Sequence, residues 1–400
     1  MIDPDNGLPP SPNHVAMATG SSVDRITPVD SIDTLRQALQ STAGVVIPWG
    51  GGNGQMTGLA LAIPVDVIDM RPFQGLASYD VDDMTVSVWS GTRLIDLQAA
   101  LAENNQFLPI DPSYPVSATL GGIVAAAASG YMVNGYGGVR DQLLGVEGMD
   151  RAGTLIHGGG KVVKNVAGYD LPKLMAGSEG TLAILTKVTL RVAPKPEARA
   201  SVVSRGDVQT LCTWVLELRA AMDPVIAVVV CRPTDEQDYC TLIFHGSRES
   251  VQAAAFGAAN HRKLGITSQA YEGEYSPDPV EGDLHFKVMV LPTMTGPLAA
   301  KIQSLVQASG GTVTVLPFSG CIHVHWESEP DNATGFVSHL VQLSELSRGT
   351  WQLESSSVGL RRDAFRGPPV TDRHLSLLEG VKKAFDPDYL LVPHRSPKRT

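Results

Sequence analysis

The run GGGNG, Gly50 to Gly54, follows the apolar segment VVIPW, Val45 to Trp49, with no spacer between them. VVIPW has the length and β-branched content of a buried strand, so the glycines open a loop at a strand's end. The next strand is expected at Val65 to Met70, which leaves no room for a crossover helix. This argues against a strand–turn–helix dinucleotide site, where a helix N-terminus supplies positive charge to the phosphates. GxGxxG fails here in every register, and HGGGK, His157 to Lys161, is no P-loop because Val162 replaces the required Ser or Thr. The open alternatives are a backbone nest that wraps an anion with main-chain N–H groups, or a tight turn.

Two further small-residue segments favour the nest. In TLGGIVAAAASG, Thr119 to Gly130, two glycines remove side chains where a bulky ligand would press on the backbone. In KNVAGYDLPKLMAGSEGTLAILT, Lys164 to Thr186, GSEG leads directly into a strand whose Leu182, Ile184, Thr186, Val188, Leu190 and Val192 share one face. Three such segments suit an extended ligand with several contact sites. Lys164 and Asn165 either reach toward that ligand or cap a turn, and Arg140 with Asp141 reads as a structural pair.

Order is expected to begin near Asp30, with Asp30 or Ser31 capping a helix whose Ile32, Leu35 and Leu39 face inward. Residues 1–29 read as a flexible leader, since they hold several prolines and no signal-peptide core. A strand is expected at Thr85 to Trp89, a helix along Leu94, Leu97 and Leu101, and mainly loops from Pro109 to Gly160. APKPEA, Ala193 to Ala198, reads as a hinge between domains at 30–196 and 197–370. The second is read as α+β, with strands at Val225–Arg232, Thr241–His245, Leu284–Val290, Val313–Leu316 and Ile322–Trp326. Residues 371–400 hold a last helix and a tail returning toward the first domain. No internal repeat is visible.

Composition narrows the partners. A net charge of -10 with 6% aromatics disfavours nucleic acid, whose affinity depends on basic charge. Cys212, Cys231, Cys240 and Cys321 form no CxxC pair, so an iron–sulfur cluster is not expected in this chain. No apolar run approaches the ~20 residues of a membrane span. A cytoplasmic chain is the expectation, touching a membrane only peripherally through partners.

The order WGGGNG, TLGG, GYDL, GSEGTL and a closing FDP resembles the FAD-binding flavoproteins of the vanillyl-alcohol oxidase or PCMH type. KNVAGYDL is especially similar to the FAD-binding E subunits of glycolate oxidase. The resemblance is strong over Ile32 to Ala198, weakens in the second domain, and returns at Phe385 to Pro393. It implies an α+β chain: a PCMH-type FAD domain of two α+β subdomains, then an α+β cap with an antiparallel sheet. Trp49, Gly50, Gly51, Gly52, Asn53 and Gly54 match the first pyrophosphate loop. Pro115, Ser117, Thr119, Gly121 and Gly122 match the second, with Ser129 and Gly130 beside it. Glu179, Gly180 and Ile184 match the stretch that reaches the ribose and flavin ring. Asn53 stands where covalently flavinylated relatives often carry His, which implies non-covalent FAD.

The catalytic segments depart from the family. A GDGNLH element resembles FSGCIH, Phe318 to His323, but Leu316 replaces one of its histidines. An SxSAEHG element resembles SSSVGLR, Ser355 to Arg361, with Gly359 and Leu360 in place of the acid and the His. The family's metal and general base are therefore not expected. On a strand, His323, His325 and Glu327 would still share a face. They are a metal set, a proton relay, or histidines at a surface or interface. Arg361 and Arg362 either grip a substrate carboxylate or form surface ion pairs.

The resemblance implies an FAD subunit of a glycolate oxidase or related 2-hydroxy-acid dehydrogenase complex. It would take part in oxidising glycolate or D-lactate to the 2-oxo acid and pass electrons to an iron–sulfur subunit or quinone. A paralogous flavin subunit would be a further partner. The alternatives are a self-sufficient flavin oxidoreductase with His323 or His325 as base, and a non-catalytic assembly subunit.

Overall fold

The computed structural model describes residues 10–56, 60–61, 63–160, 169–219, 226–232, 237–261, 265–273, 280–363 and 372–392. They divide into two units. One draws on Met1–Gly130, Gly137–Lys195 and Pro369–Thr400; the other on Tyr131–Tyr136 and Pro196–Pro368.

In the first unit, strands Val23–Pro28, Val65–Asp69 and Val45–Trp49 lie parallel in that spatial order. Parallel neighbours need a crossover. Helix Ile32–Gln40 supplies it between the two outer strands, starting at a capping box between Ser31 and Thr34 and burying Leu35, Ala38 and Leu39. The residues read as a flexible leader are ordered in part. Helix Pro12–Thr19, capped by Ser11, buries Val15 and Ala18, and Val23–Pro28 is a sheet strand. VDRITP is an edge strand with no buried residue, so it lacks the alternation that marks a strand in sequence.

The second sheet of this unit is antiparallel, in the order Leu76–Asp80, Thr85–Trp89, Ile184–Arg191, Leu143–Met149, Leu155–Gly159. The stretch 109–160 is thus not mainly loop: it holds two strands and helix Leu120–Ala126. Its glycines conceal the strands. A side chain at Gly148 would collide with the Ile184 carbonyl of the neighbouring strand, so glycine is a packing requirement there, not a turn signal. Arg140 and Asp141 also differ from expectation, because Asp141 accepts the Gly138 N–H at 2.8 Å and caps its own short helix. Helix Asp372–Phe385 leads to a segment that pairs in parallel with strand Val45–Trp49: Val46 N donates to Leu390 O and Val392 N to Val46 O.

The second unit contains an eight-stranded sheet in the order Thr267–Glu272, Ala198–Gly206, Asp238–Gly246, Ile226–Cys231, Thr312–Leu316, Cys321–Trp326, Leu284–Met289, Thr350–Ser355. Neighbours run antiparallel throughout. Chain order reveals a repeat the sequence conceals. Residues 198–272 trace strand, helix, strand, strand, helix, strand, and residues 284–355 trace the same path. Each half has the spatial order fourth, first, third, second, and the two meet through their second strands. This is the split βαβ arrangement twice over. Among the described residues, no helix is long and apolar enough to cross a membrane.

Candidate cofactor-binding site

The three glycine segments meet in the first unit because glycine lets their backbones touch. A Cβ on Gly50 would run into Thr119 Oγ1, and one on Gly51 into the Ser117 carbonyl, so the first loop rests on the second. Asn53 fastens the contact: its Nδ2 donates to Ser117 Oγ at 3.2 Å and to Tyr114 O at 3.4 Å. Trp49 is buried beneath Gly52, while Pro115 stays exposed.

The second segment opens as helix Leu120–Ala126 with Thr119 as N-cap, not as loop. Its first amides are used inside the protein: Leu120 N donates to Thr92 O, Gly121 N to Ser90 O and Ile123 N to Thr119 O. At its other end, Val124 O and Ala125 O accept the amides of Gly177 and Glu179, which docks the third loop on the same helix. Glu179 takes φ 53° and Gly180 φ 72°, and a side chain at Gly180 would press on Pro48 of the first loop's strand. Ile184 is fully buried, so its side chain belongs to the core. Ser129 accepts the Val139 N–H at 3.4 Å, and Gly130 lies against the Asp111 carbonyl.

At this junction several polar groups find no partner among the described residues. Among the described residues, the amides of Gly51 and Gly52 donate to no acceptor, and both residues are half-buried. Among the described residues, the buried hydroxyls of Ser90, beside Gly121, and Ser178, beside Glu179, also find no partner. Buried polar groups left unpaired cost free energy, so this lining fits a polar ligand. Lys164, Asn165 and Gly168 lie outside the described residues.

The second unit carries a different polar group. The sheet register places His323 opposite Lys287 and His325 opposite His285. His285 Nε2 and His323 Nδ1 share a hydrogen bond of 2.8 Å, and Cys321 Sγ lies 3.3 Å from His323 Nε2. Lys287 pairs with Glu354 at 3.6 Å. Burial, reinforced by Lys287, holds the His285 pKa down to about 3. Burial, reinforced by His285 and Arg232, holds His325 at about 4, and His323 is also pushed well down, first by burial. All three are neutral at pH 7. Glu327 follows the strand, is exposed, and does not complete a metal set with them. No group of three or more His, Cys, Asp and Glu among the described residues is arranged to hold a metal.

His285 was missed by sequence reasoning. Strand alternation in LHFKV sets it on the face of Lys287, but only the pairing with a distant strand brings it to His323. Arg361 overturns the surface ion-pair reading, being fully buried in helix Val358–Asp363. The Arg362 side chain lies outside the described residues.

Residues 26–159 match a family model described as an FAD binding domain. Glycolate oxidase subunit GlcE of Escherichia coli is 33% identical over 195 residues, which is 48% of this chain and 55% of that protein. The chain thus spans about half the length of that relative. D-2-hydroxyglutarate dehydrogenase of Xanthomonas citri pv. viticola is 24% identical over 430 residues, covering 96% of this chain and 89% of that protein. A solved alkyldihydroxyacetonephosphate synthase superposes with a TM-score of 0.66 at 15% identity, over 92% of this chain and 76% of that one. The chain has the PCMH-type FAD-binding fold, of α+β class, and FAD is the cofactor of the matched domain.

Proposed function

We propose that the three joined loops hold FAD without a covalent bond, and that the chain takes part in oxidising a small 2-hydroxy acid within a multi-subunit complex. The unpartnered polar groups at the loop junction carry this reading. The Gly51 and Gly52 amides are placed to hold phosphate oxygens, and the Ser90 and Ser178 hydroxyls to hydrogen-bond the rest of the ligand. Asn53 offers an amide already engaged with Ser117 and no nucleophile, which supports non-covalent binding. When bound, FAD supplies a hydride acceptor for the substrate α-carbon.

Oxidation also needs a group to take the hydroxyl proton, and a general base works best with a pKa near the working pH. His325 at about 4 and His285 at about 3 are weak bases at pH 7. This supports a subunit that relies on a paralogous flavin subunit for the full oxidation and passes electrons to an iron–sulfur or quinone partner. A self-sufficient dehydrogenase is the second reading, favoured by the similarity to D-2-hydroxyglutarate dehydrogenase across 96% of the chain.

Purified full-length chain should show flavin absorption that acid precipitation releases into solution. Under anaerobic conditions, glycolate or D-lactate should bleach it only when the partner subunits are present. No flavin bands after reconstitution with FAD would sink the cofactor reading, and bleaching of the chain alone would select the second one.

A further inference from the structure

Lys382 and Asp386 lie in the core of the first unit, 1% and 0% exposed, with their charged atoms 2.6 Å apart. The ammonium has three donors and uses all of them: Asp386 Oδ2 at 2.6 Å, Thr181 O at 2.6 Å and Leu391 O at 2.8 Å. The carboxylate accepts two further bonds, from Leu390 N at 3.1 Å and Leu391 N at 2.8 Å.

These partners belong to separate parts of the cofactor junction. Thr181 follows Gly180 in the third loop. Leu390 and Val392 pair with Val46, in the strand that ends at the first loop. Gly180 faces Pro48 of that strand and lies near Val392. One ammonium therefore ties the third loop to the segment that edges the first loop's strand.

A buried ion pair is a poor source of stability, because desolvation cancels much of its attraction and an apolar pair often does as well. What it adds is direction: five hydrogen bonds to stated atoms fix where the C-terminal segment lies. We propose that Lys382 and Asp386 are positioning residues for the cofactor, holding the C-terminal segment so that the first and third loops adopt their FAD-binding arrangement together. The inference rests on the three-loop reading above. Its energetic logic is a population: if the loops were correctly joined in only a tenth of molecules, apparent affinity for FAD would fall about tenfold.

The test uses full-length apoprotein titrated with FAD and followed by flavin fluorescence, well below each variant's melting temperature. Lys382→Met and Asp386→Asn should raise the Kd for FAD roughly tenfold or more while the circular dichroism stays native. Should a single variant fail to fold, the double variant Lys382→Met/Asp386→Leu removes both charges, is expected to fold, and should still bind FAD weakly. Leu101→Ala, a cavity in the core of the five-stranded sheet, should lower the melting temperature and leave the Kd unchanged. Wild-type affinity in the folded double variant would overturn the inference while leaving the three-loop reading intact. A wild-type chain that binds no FAD would overturn both.

Discussion

The two halves of the eight-stranded sheet trace the same path, yet their shared face changes character between them. The register lines up Val230, Thr314, His323 and Lys287 on successive strands, so one side of the sheet runs through both halves. In the first half that side carries an apolar cluster, Ile226, Val228, Val230, Tyr239 and Ile243 packed with Tyr131 and Met132, beside Ser201, Thr241 and His245. In the second half it carries His285, Lys287, His323, His325 and Glu354. Topology is therefore repeated while chemistry is not. A sheet needs one buried face to hold its helices, and Leu211, Trp214, Leu298 and Ile302 supply that in both halves. The opposite face was left free to diverge.

The largest effect should come from forcing the apolar half to resemble the polar one. Val228 is fully buried in that cluster, and Val228→Asp places a carboxylate there opposite the neutral Thr241. The expected loss is about 4 kcal/mol or more in urea unfolding, and a loss under 1 kcal/mol would show that the apolar half tolerates charge as the histidine half does.

Acid should act on the other half. The three imidazoles stay neutral in the fold but protonate freely once unfolded, so below about pH 6.5 the unfolded state binds more protons. Lys287 and Arg232 oppose protonation in the fold, and Glu354 is already paired with Lys287. Stability should fall as pH drops from about 6.5 through the His325 value of about 4 and the His285 value of about 3, and His323, which burial pushes well down, carries the fall on in the same direction. Each imidazole should contribute on the order of 1 kcal/mol per pH unit in that window. Replacing all three with Leu should flatten the acid limb of the unfolding profile, and an unchanged limb would place the titrating groups elsewhere.

The smallest effect is expected where the apolar half keeps a polar contact, Tyr136 OH to His245 Nδ1 at 3.0 Å. Tyr136→Phe should cost about 1 kcal/mol in thermal unfolding. A larger loss would mean that this contact anchors the whole Tyr131–Tyr136 segment on the sheet.

Legibility followed the range of the signal. The strand Val45–Trp49, the glycine loop after it and a helix cap at Asp30 or Ser31 were readable because each is set by a few adjacent residues; the fold uses Ser31. The alternation from Leu182 to Val192 located a strand but understated it, since Leu185 and Thr189 on the opposite face are buried as well. Helix Arg248–Asn260 and strand Thr350–Ser355 went unread, the first because RESVQAAAFGAAN buries only Val251, Ala255 and Ala258. The doubled βαββαβ path was invisible for a different reason. Its halves share strand pairing and helix order, which unlike sequences can satisfy with different apolar residues.

By itself, the sequence determined where the backbone must run without side chains and where apolar faces recur, because dihedral freedom and periodicity are local properties. Tertiary structure alone decided what those elements meet. Gly50 turned out to need its missing side chain for Thr119, Gly51 for the Ser117 carbonyl, and Lys382 found its acceptor at Thr181, far away along the chain. A lysine reads as a surface residue in any sequence window, and His285 as one polar position on a strand. Only the partners brought beside them by folding make burial of those groups affordable, and no local pattern encodes a partner.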